Sequence, residues 1–163
     1  MSRLPGTGVM MRDEKRILVV DDDDAIRTLV FTILRRRGYQ VDVARNGVDA
    51  LERCANCHYA LVVLDLMMPL MSGWAVLEKL AQEPSDARPV VLVLTAGLEM
   101  RHFDPALVAG TLRKPFDIDL LVEAVTGCIN SRTPSEQLEK CPPADSEGRK
   151  RMRAPQSSGD EPN

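Results

Sequence analysis

The stretch Tyr59-Ala60-Leu61-Val62-Val63-Leu64-Asp65-Leu66-Met67-Met68-Pro69-Leu70-Met71-Ser72-Gly73-Trp74 decides the fold. Its apolar run, Ala60 to Leu64, is short and rich in branched side chains, which reads as a parallel-sheet strand covered on both faces. Asp65 ends the run. A carboxylate directly after a buried strand is costly unless something pairs with it. Pro69 and Gly73 then break the chain before a helical pattern begins. In an open parallel sheet, ligands bind at the carboxyl ends of the strands. Asp65 therefore stands where chemistry is expected.

Three further runs end in the same way. Ile17-Leu18-Val19-Val20 ends in Asp21-Asp22, Val90-Val91-Leu92-Val93-Leu94 ends in Thr95, and the short Thr111-Leu112-Arg113 ends in Lys114-Pro115. Three carboxylates, one hydroxyl and one ammonium thus collect at one sheet edge. Crowded carboxylates repel one another. A divalent cation relieves that, and Mg²⁺ typically takes one or two carboxylates plus phosphate oxygens and water. A carboxylate beside Mg²⁺, with a Lys and a Thr nearby, can attack a phosphoryl group and carry the acyl phosphate formed.

Between these runs the chain alternates. Strand one is placed at Arg16–Val20, followed by a helix over roughly Asp24–Arg37, with Asp23 or Asp24 as its cap and Ile26, Leu29, Val30, Ile33 and Leu34 at helical spacing. Gly38 is a natural stop. Tyr39, Val41 and Val43 alternate as strand two. Asn46 caps a second helix through about Cys57, and Ser72 starts a third. Strand four is Pro89–Leu94 and strand five Thr111–Arg113. Leu98–Ala109 should hold a poorly made helix, interrupted at Asp104-Pro105, since Pro costs about 3 kcal/mol inside a helix; one short helix or two turns are expected there. A last helix over about Asp117–Cys128 should bury Leu120, Leu121, Ala124, Val125 and Cys128. Strands alternating with helices give a doubly wound α/β fold.

The Asp21-Asp22 pair, Asp65 within Asp-Leu-Met-Met-Pro-Leu-Met-Ser-Gly, Thr95-Ala96 and Lys114-Pro115-Phe116 resemble the receiver domain of two-component response regulators, over roughly Lys15 to Asn130. One acidic pair is a weak signal; four motifs in order, each closing an apolar strand, are a strong one. The resemblance implies a flavodoxin-like five-stranded parallel sheet in the order 2-1-3-4-5. It implies phosphorylation of Asp65, with Lys114 and Thr95 assisting. Mg²⁺ would be held by Asp22 directly, by Asp21 directly or through water, by Asp65, and by the main-chain carbonyl of Met67. Met67 and Gly97, two residues beyond Asp65 and Thr95, would set the lifetime of the phosphoryl group. Thr95 would act in the conformational switch, but its usual aromatic partner is replaced by Thr111, and the stretch from Thr95 to Lys114 is shorter than usual. A sensor histidine kinase or phosphotransfer protein is the expected donor, acting on a stand-alone module that is not an enzyme in its own right. An output protein of unspecified kind, and a phosphorylation-dependent homodimer, are further expectations.

A second reading is a phosphohydrolase of the haloacid dehalogenase type, with Asp21 as nucleophile and Asp23 as acid/base. It leaves Asp65-Leu-Met-Met-Pro unexplained. Cys54-Ala55-Asn56-Cys57-His58 has the spacing of a c-type haem attachment site, but reads better as the end of a helix with Cys54 as a small buried hydrophobe. Neither haem nor a zinc site is expected.

At 163 residues the chain fits one core with tails: a leader over 1–14, the receiver-like unit over 15–130 and a polar tail over 131–163. The tail has five prolines and only Leu138 and Met152 as large apolar residues, so disorder is expected there. A net charge of −3 gives no pull toward nucleic acid or anionic lipid, and the basic cluster Arg149–Arg153 is flanked by acidic residues. No apolar run is long enough to cross a bilayer and no secretory signal is visible, so a cytoplasmic protein without membrane or nucleic-acid partners is expected. Deleting Ser131–Asn163 should leave the melting temperature nearly unchanged, which thermal denaturation of the truncated chain checks; a large loss would mean that the tail contributes to the core.

Overall fold

Successive residues of a strand face opposite sides of the sheet, and here the central strands carry apolar groups on both. The computed structural model, which describes residues 15–97 and 102–131, places them in a sheet covered on both faces. The elements are β1 (Arg16–Val20), α1 (Asp24–Arg36), β2 (Gln40–Ala44), α2 (Gly47–Asn56), β3 (Leu61–Asp65), α3 (Gly73–Ala81), β4 (Val90–Thr95), β5 (Val108–Arg113) and α4 (Ile118–Asn130). The five strands lie in the order β2-β1-β3-β4-β5, and every neighbouring pair is parallel. This is the expected doubly wound α/β fold.

The period of two divides the core. Ile17, Val19, Leu61, Val63, Leu92 and Leu94 pack on one face with Val30 and Leu34 of α1 and Leu121 and Val125 of α4. Leu18, Val20, Val62, Leu64, Val91 and Val93 pack on the other with Ala50 of α2 and Val76, Leu77 and Leu80 of α3. Each such side chain contributes roughly 1.5–3 kcal/mol when fully removed from water. The caps follow the sequence: Asp23, Asn46, Ser72 and Asp117 each accept a hydrogen bond from a backbone N–H in the first turn of their helix.

Two expectations are corrected. The first concerns the start of β5, which follows a turn, one of the two forms expected before it; residues 98–101 lie outside the described residues. The Asp104 carboxylate accepts from the Ala106 N–H at 2.9 Å, and its carbonyl accepts from Leu107 and Val108 at 3.1 and 2.9 Å. Pro105, which has no N–H to bond back to the preceding residues, opens this turn. The Val91 N–H then bonds the Leu107 carbonyl at 2.9 Å, so pairing starts early and β5 begins at Val108 rather than Thr111. Phe103 stacks on Trp74 of α3, ring centroids 5.0 Å apart.

The second correction concerns helix faces. Leu120 and Leu29 are each about half exposed, whereas Leu121, Val122 and Val125 of α4 and Val30 and Leu34 of α1 are buried. The Asp117 cap sets the phase of α4, and Leu120 falls on the solvent side of it. The leader (1–14), most of the tail and the basic cluster at 149–153 lie outside the described residues.

Gly73 fixes how close α3 approaches β3. Its N–H bonds the Leu66 carbonyl at 3.0 Å, and a Cβ there would overlap the Asp65 carbonyl oxygen and stand 2.7 Å from the Leu66 Cα. Both obstacles are backbone, so neither can swing aside. Gly73→Ala should destabilise the protein by roughly 1–3 kcal/mol, the usual cost of overpacking, and denaturant unfolding measures it.

Candidate functional site

β1 and β3 are adjacent, and their carboxyl ends carry Asp21 and Asp65. The Asp21 N–H still pairs with the Ala44 carbonyl at 3.3 Å, so the sheet ladder itself holds this residue. Asp21 is fully buried. Its Oδ1 accepts from the Asp23 N–H at 2.9 Å and its Oδ2 from Lys114 Nζ at 2.8 Å. Asp22, the next residue, is exposed. Asp65 is buried, and its Oδ1 accepts from the Met67 N–H at 3.2 Å and lies 3.4 Å from Lys114 Nζ. One carboxylate oxygen from each of Asp21, Asp22 and Asp65 falls within 4.8 Å of the others. These are hard oxygen donors, one of them open to solvent, which suits Mg²⁺ with water and phosphate oxygens completing its shell.

Lys114 stands on a cis Lys114-Pro115 peptide at the end of β5. Its N–H bonds the Thr95 carbonyl at 2.8 Å, which ties it to the end of β4. Thr95 is half-buried, and its hydroxyl accepts from the Gly97 N–H at 2.9 Å. Gly97 has a φ of +88°, a region open mainly to glycine. Met67 is two-thirds exposed beside Asp65. The sequence-expected residues Asp21, Asp22, Asp65, Lys114, Thr95, Met67 and Gly97 thus all lie on the same sheet edge or the loops that leave it. Thr111 does not reach this edge: it lies within β5 opposite Val93 and is exposed. Neither Cys54 nor His58 belongs to a group of three metal-ligating side chains among the described residues.

Arg27 was not legible as part of the site. It is buried, and its Nη1 donates to the Asp21 carbonyl at 2.8 Å, while its other terminal nitrogen pairs with Asp24. It braces the backbone of the loop that carries Asp21 and Asp22. Its one signal was positional: Arg27, Val30 and Leu34 share the spacing of the buried stripe of α1.

The charges are coupled. Burial first, and the Asp21 charge second, push the Asp65 carboxyl up to about 6, against the pull of Lys114 and the Met67 N–H. Burial would lower the Lys114 ammonium, yet its bond to Asp21 and the charges of Asp21 and Asp65 leave it raised. Between about pH 4 and pH 6 the folded protein therefore holds a proton on Asp65 that the unfolded chain has released. The stability this gives is complete below the ordinary value of 3.8 and is lost as pH rises through about 6. Asp65→Asn in metal-free protein should remove that decline and be more stable than the parent at pH 8 by roughly 1–3 kcal/mol. Thermal melts from pH 4 to pH 8 measure it; parallel curves for the two proteins between pH 4 and pH 6 would contradict the charge coupling.

No helix among the described residues is long and apolar enough to cross a membrane. A family model for the response regulator receiver domain matches residues 17–126. The chain is 38% identical over 124 residues to response regulator MprA of Mycobacterium sp. (strain KMS), covering 74% of this chain and 53% of that protein. It is 33% identical over 138 residues to the transcriptional regulatory protein ResD of Bacillus subtilis (strain 168), covering 77% and 56%. The chain thus spans about half the length of these curated relatives, which gives no support to the expectation of a stand-alone protein. Among solved structures, the response regulator TrrA of Thermotoga maritima, in complex with Mg²⁺-BeF, matches with a TM-score of 0.63 and 36% identity, over 70% of this chain and 98% of that one. Receiver domains are phosphoacceptor signalling modules, served by histidine kinases or phosphotransfer proteins. With an acidic pair, a buried Asp, a Thr and a Lys meeting at the carboxyl edge of a 2-1-3-4-5 sheet, and with a family match across that sheet, this chain belongs to the response regulator receiver domain family.

Proposed function

We propose that Asp65 accepts a phosphoryl group from the phosphohistidine of a sensor histidine kinase or phosphotransfer protein, and that the change this causes is read by an output partner. The observation that carries the reading is the position of the Asp65 carboxylate, 3.4 Å from Lys114 Nζ and within 4.8 Å of the Asp21 and Asp22 carboxylates. Asp21, Asp22 and Asp65, with the Met67 carbonyl, would hold Mg²⁺. That ion would neutralise phosphoryl oxygens and relieve the carboxylate repulsion.

The chemistry asked of the chain is small. A carboxylate oxygen of Asp65 bonds to phosphorus as the phosphorus–nitrogen bond of the donor breaks, its electron pair returning to the imidazole. A carboxyl near 6 is mostly ionised at neutral pH and stays a competent nucleophile. Lys114 is held more closely by Asp21, at 2.8 Å, than by Asp65, at 3.4 Å. Added phosphoryl charge on Asp65 draws the ammonium the other way. The Thr95 hydroxyl turns toward a phosphoryl oxygen, leaving the Gly97 N–H. That exchange at the end of β4 starts the switch, biasing an equilibrium between two arrangements of the surface. Thr111 supplies no aromatic ring to follow it. The β4–β5 connection instead carries Phe103, stacked on Trp74. The Met67 thioether has no strong donor or acceptor with which to orient a hydrolytic water, and Gly97 has no side chain, so a long-lived acyl phosphate is part of this reading. Partner binding, and a homodimer favoured by phosphorylation, follow from the same surface change.

The hydrolase alternative is less well supported: its nucleophile Asp21 is fully buried, so a substrate reaches Asp65 and the exposed Asp22 side of the edge more readily. Treatment with Mg²⁺ and a small acyl phosphate should put one alkali-labile, hydroxylamine-labile phosphoryl group on the protein. Asp65→Asn should lose it, since the amide keeps the shape without the nucleophile. Label that persists in Asp65→Asn would overturn the assignment.

A further inference from the structure

The space that a side chain at position 97 would occupy is filled by Arg113. A Cβ built on Gly97 would overlap Arg113 Nε and stand 2.9 Å from its Cδ and Cζ. The guanidinium end of Arg113 is therefore seated against the Gly97 backbone, and the missing side chain is what admits it. Short contacts join this arginine to the phosphoacceptor edge. The Gly97 N–H donates to the Thr95 hydroxyl at 2.9 Å, Thr95 lies opposite Arg113 in the β4–β5 ladder, and Lys114, the next residue, reaches Asp65 at 3.4 Å. Arg113 is exposed and makes no ion pair among the described residues, whereas Arg16, Arg27 and Arg53 are each held by a carboxylate. A guanidinium is always charged and presents a fork that matches phosphate oxygens.

The electrostatics of the edge give this cation a task. Asp21, Asp22 and Asp65 face one ammonium, Lys114, which is already committed to two of them. An anionic donor must enter that field, and a positive group at the mouth favours its approach. We propose that Arg113 is a phosphoryl-binding residue of this site. From the place vacated at Gly97, it contacts the oxygens of the incoming phosphodonor and of the acyl phosphate once formed. Gly97 acts by admitting the guanidinium. This inference rests on Asp65 being the phosphoacceptor.

The full chain with Mg²⁺ and acetyl phosphate tests it. In that reaction an Asp65 oxygen bonds to phosphorus as the phosphorus–oxygen bond to the acetyl group breaks, the electron pair leaving with acetate. Arg113→Ala should lower the second-order rate constant for labelling by about tenfold and flatten its dependence on ionic strength. It should weaken binding of beryllofluoride, a phosphoryl analogue, to a similar degree, while Mg²⁺ affinity without the analogue stays within about twofold, because Arg113 is not among the oxygen donors to the ion. Arg113→Lys should recover part of the rate, because charge returns without the fork. Gly97→Ala should resemble Arg113→Ala, and the double variant should be no slower than either. Labelling and beryllofluoride binding at parental levels in Arg113→Ala would overturn this inference alone. Equal losses of labelling and of Mg²⁺ affinity would mean a distorted site and would also overturn it. A parent chain that takes no label would instead overturn the Asp65 assignment, and this inference with it.

Discussion

The ion pair between Asp21 and Lys114 holds the functional edge together. It joins the end of β1 to the end of β5, elements separated in the sheet by β3 and β4. A fully buried carboxylate is costly to leave alone, and breaking such a pair by removing one partner typically costs 3–5 kcal/mol. Lys114 therefore has to cross the strand ends, and in doing so it passes within 3.4 Å of Asp65. The same tie that makes Asp21 tolerable inside the protein delivers an ammonium to the nucleophile. Arg27 braces the other side of the loop through the Asp21 carbonyl, which leaves Asp22 as the exposed member of the acidic pair.

Rigid backing surrounds this tie. Both faces of the central strands are covered, so the ends of β1, β3 and β4 are set by the cores beneath them. Gly73 lets α3 close directly onto the Asp65 and Leu66 backbone. A site built on strand ends and helix starts keeps its geometry better than one on free loops. Among the described residues the least regular stretch of the sheet lies toward β5, where Asp104-Pro105 makes a turn, the β4–β5 ladder shifts register at Val91 and Leu92, and Phe103 stacks on Trp74. That sector adjoins Thr95, the residue whose hydroxyl exchanges partners in the proposed switch.

Arg113 and Gly97 show how side-chain space can be borrowed across strands. Position 97 looks empty in the chain, yet its volume is occupied from the neighbouring strand. A residue with no side chain can thus take part in a charged site by deciding whose side chain enters.

Much of this protein was legible in one dimension. The apolar runs are short, each ends at an abrupt polar residue, and the intervening periodicities are helical, so the parallel sheet and its active edge follow from local pattern. Asp65, Lys114, Thr95 and the acidic pair could be named because strand ends of a parallel sheet share an edge whatever the packing. The caps Asp23, Asn46, Ser72 and Asp117 were readable because capping depends on a few consecutive residues. Tertiary structure decided what depends on distant partners. Whether Asp21 or Asp22 is the buried carboxylate turns on Lys114, 93 residues away from Asp21. Burial of Arg27, exposure of Leu120, the early start of β5 and the docking of Arg113 on Gly97 all depend on cross-element register and helix phase. Those are fixed by packing and ladder hydrogen bonds between segments far apart in sequence, and no local window contains them.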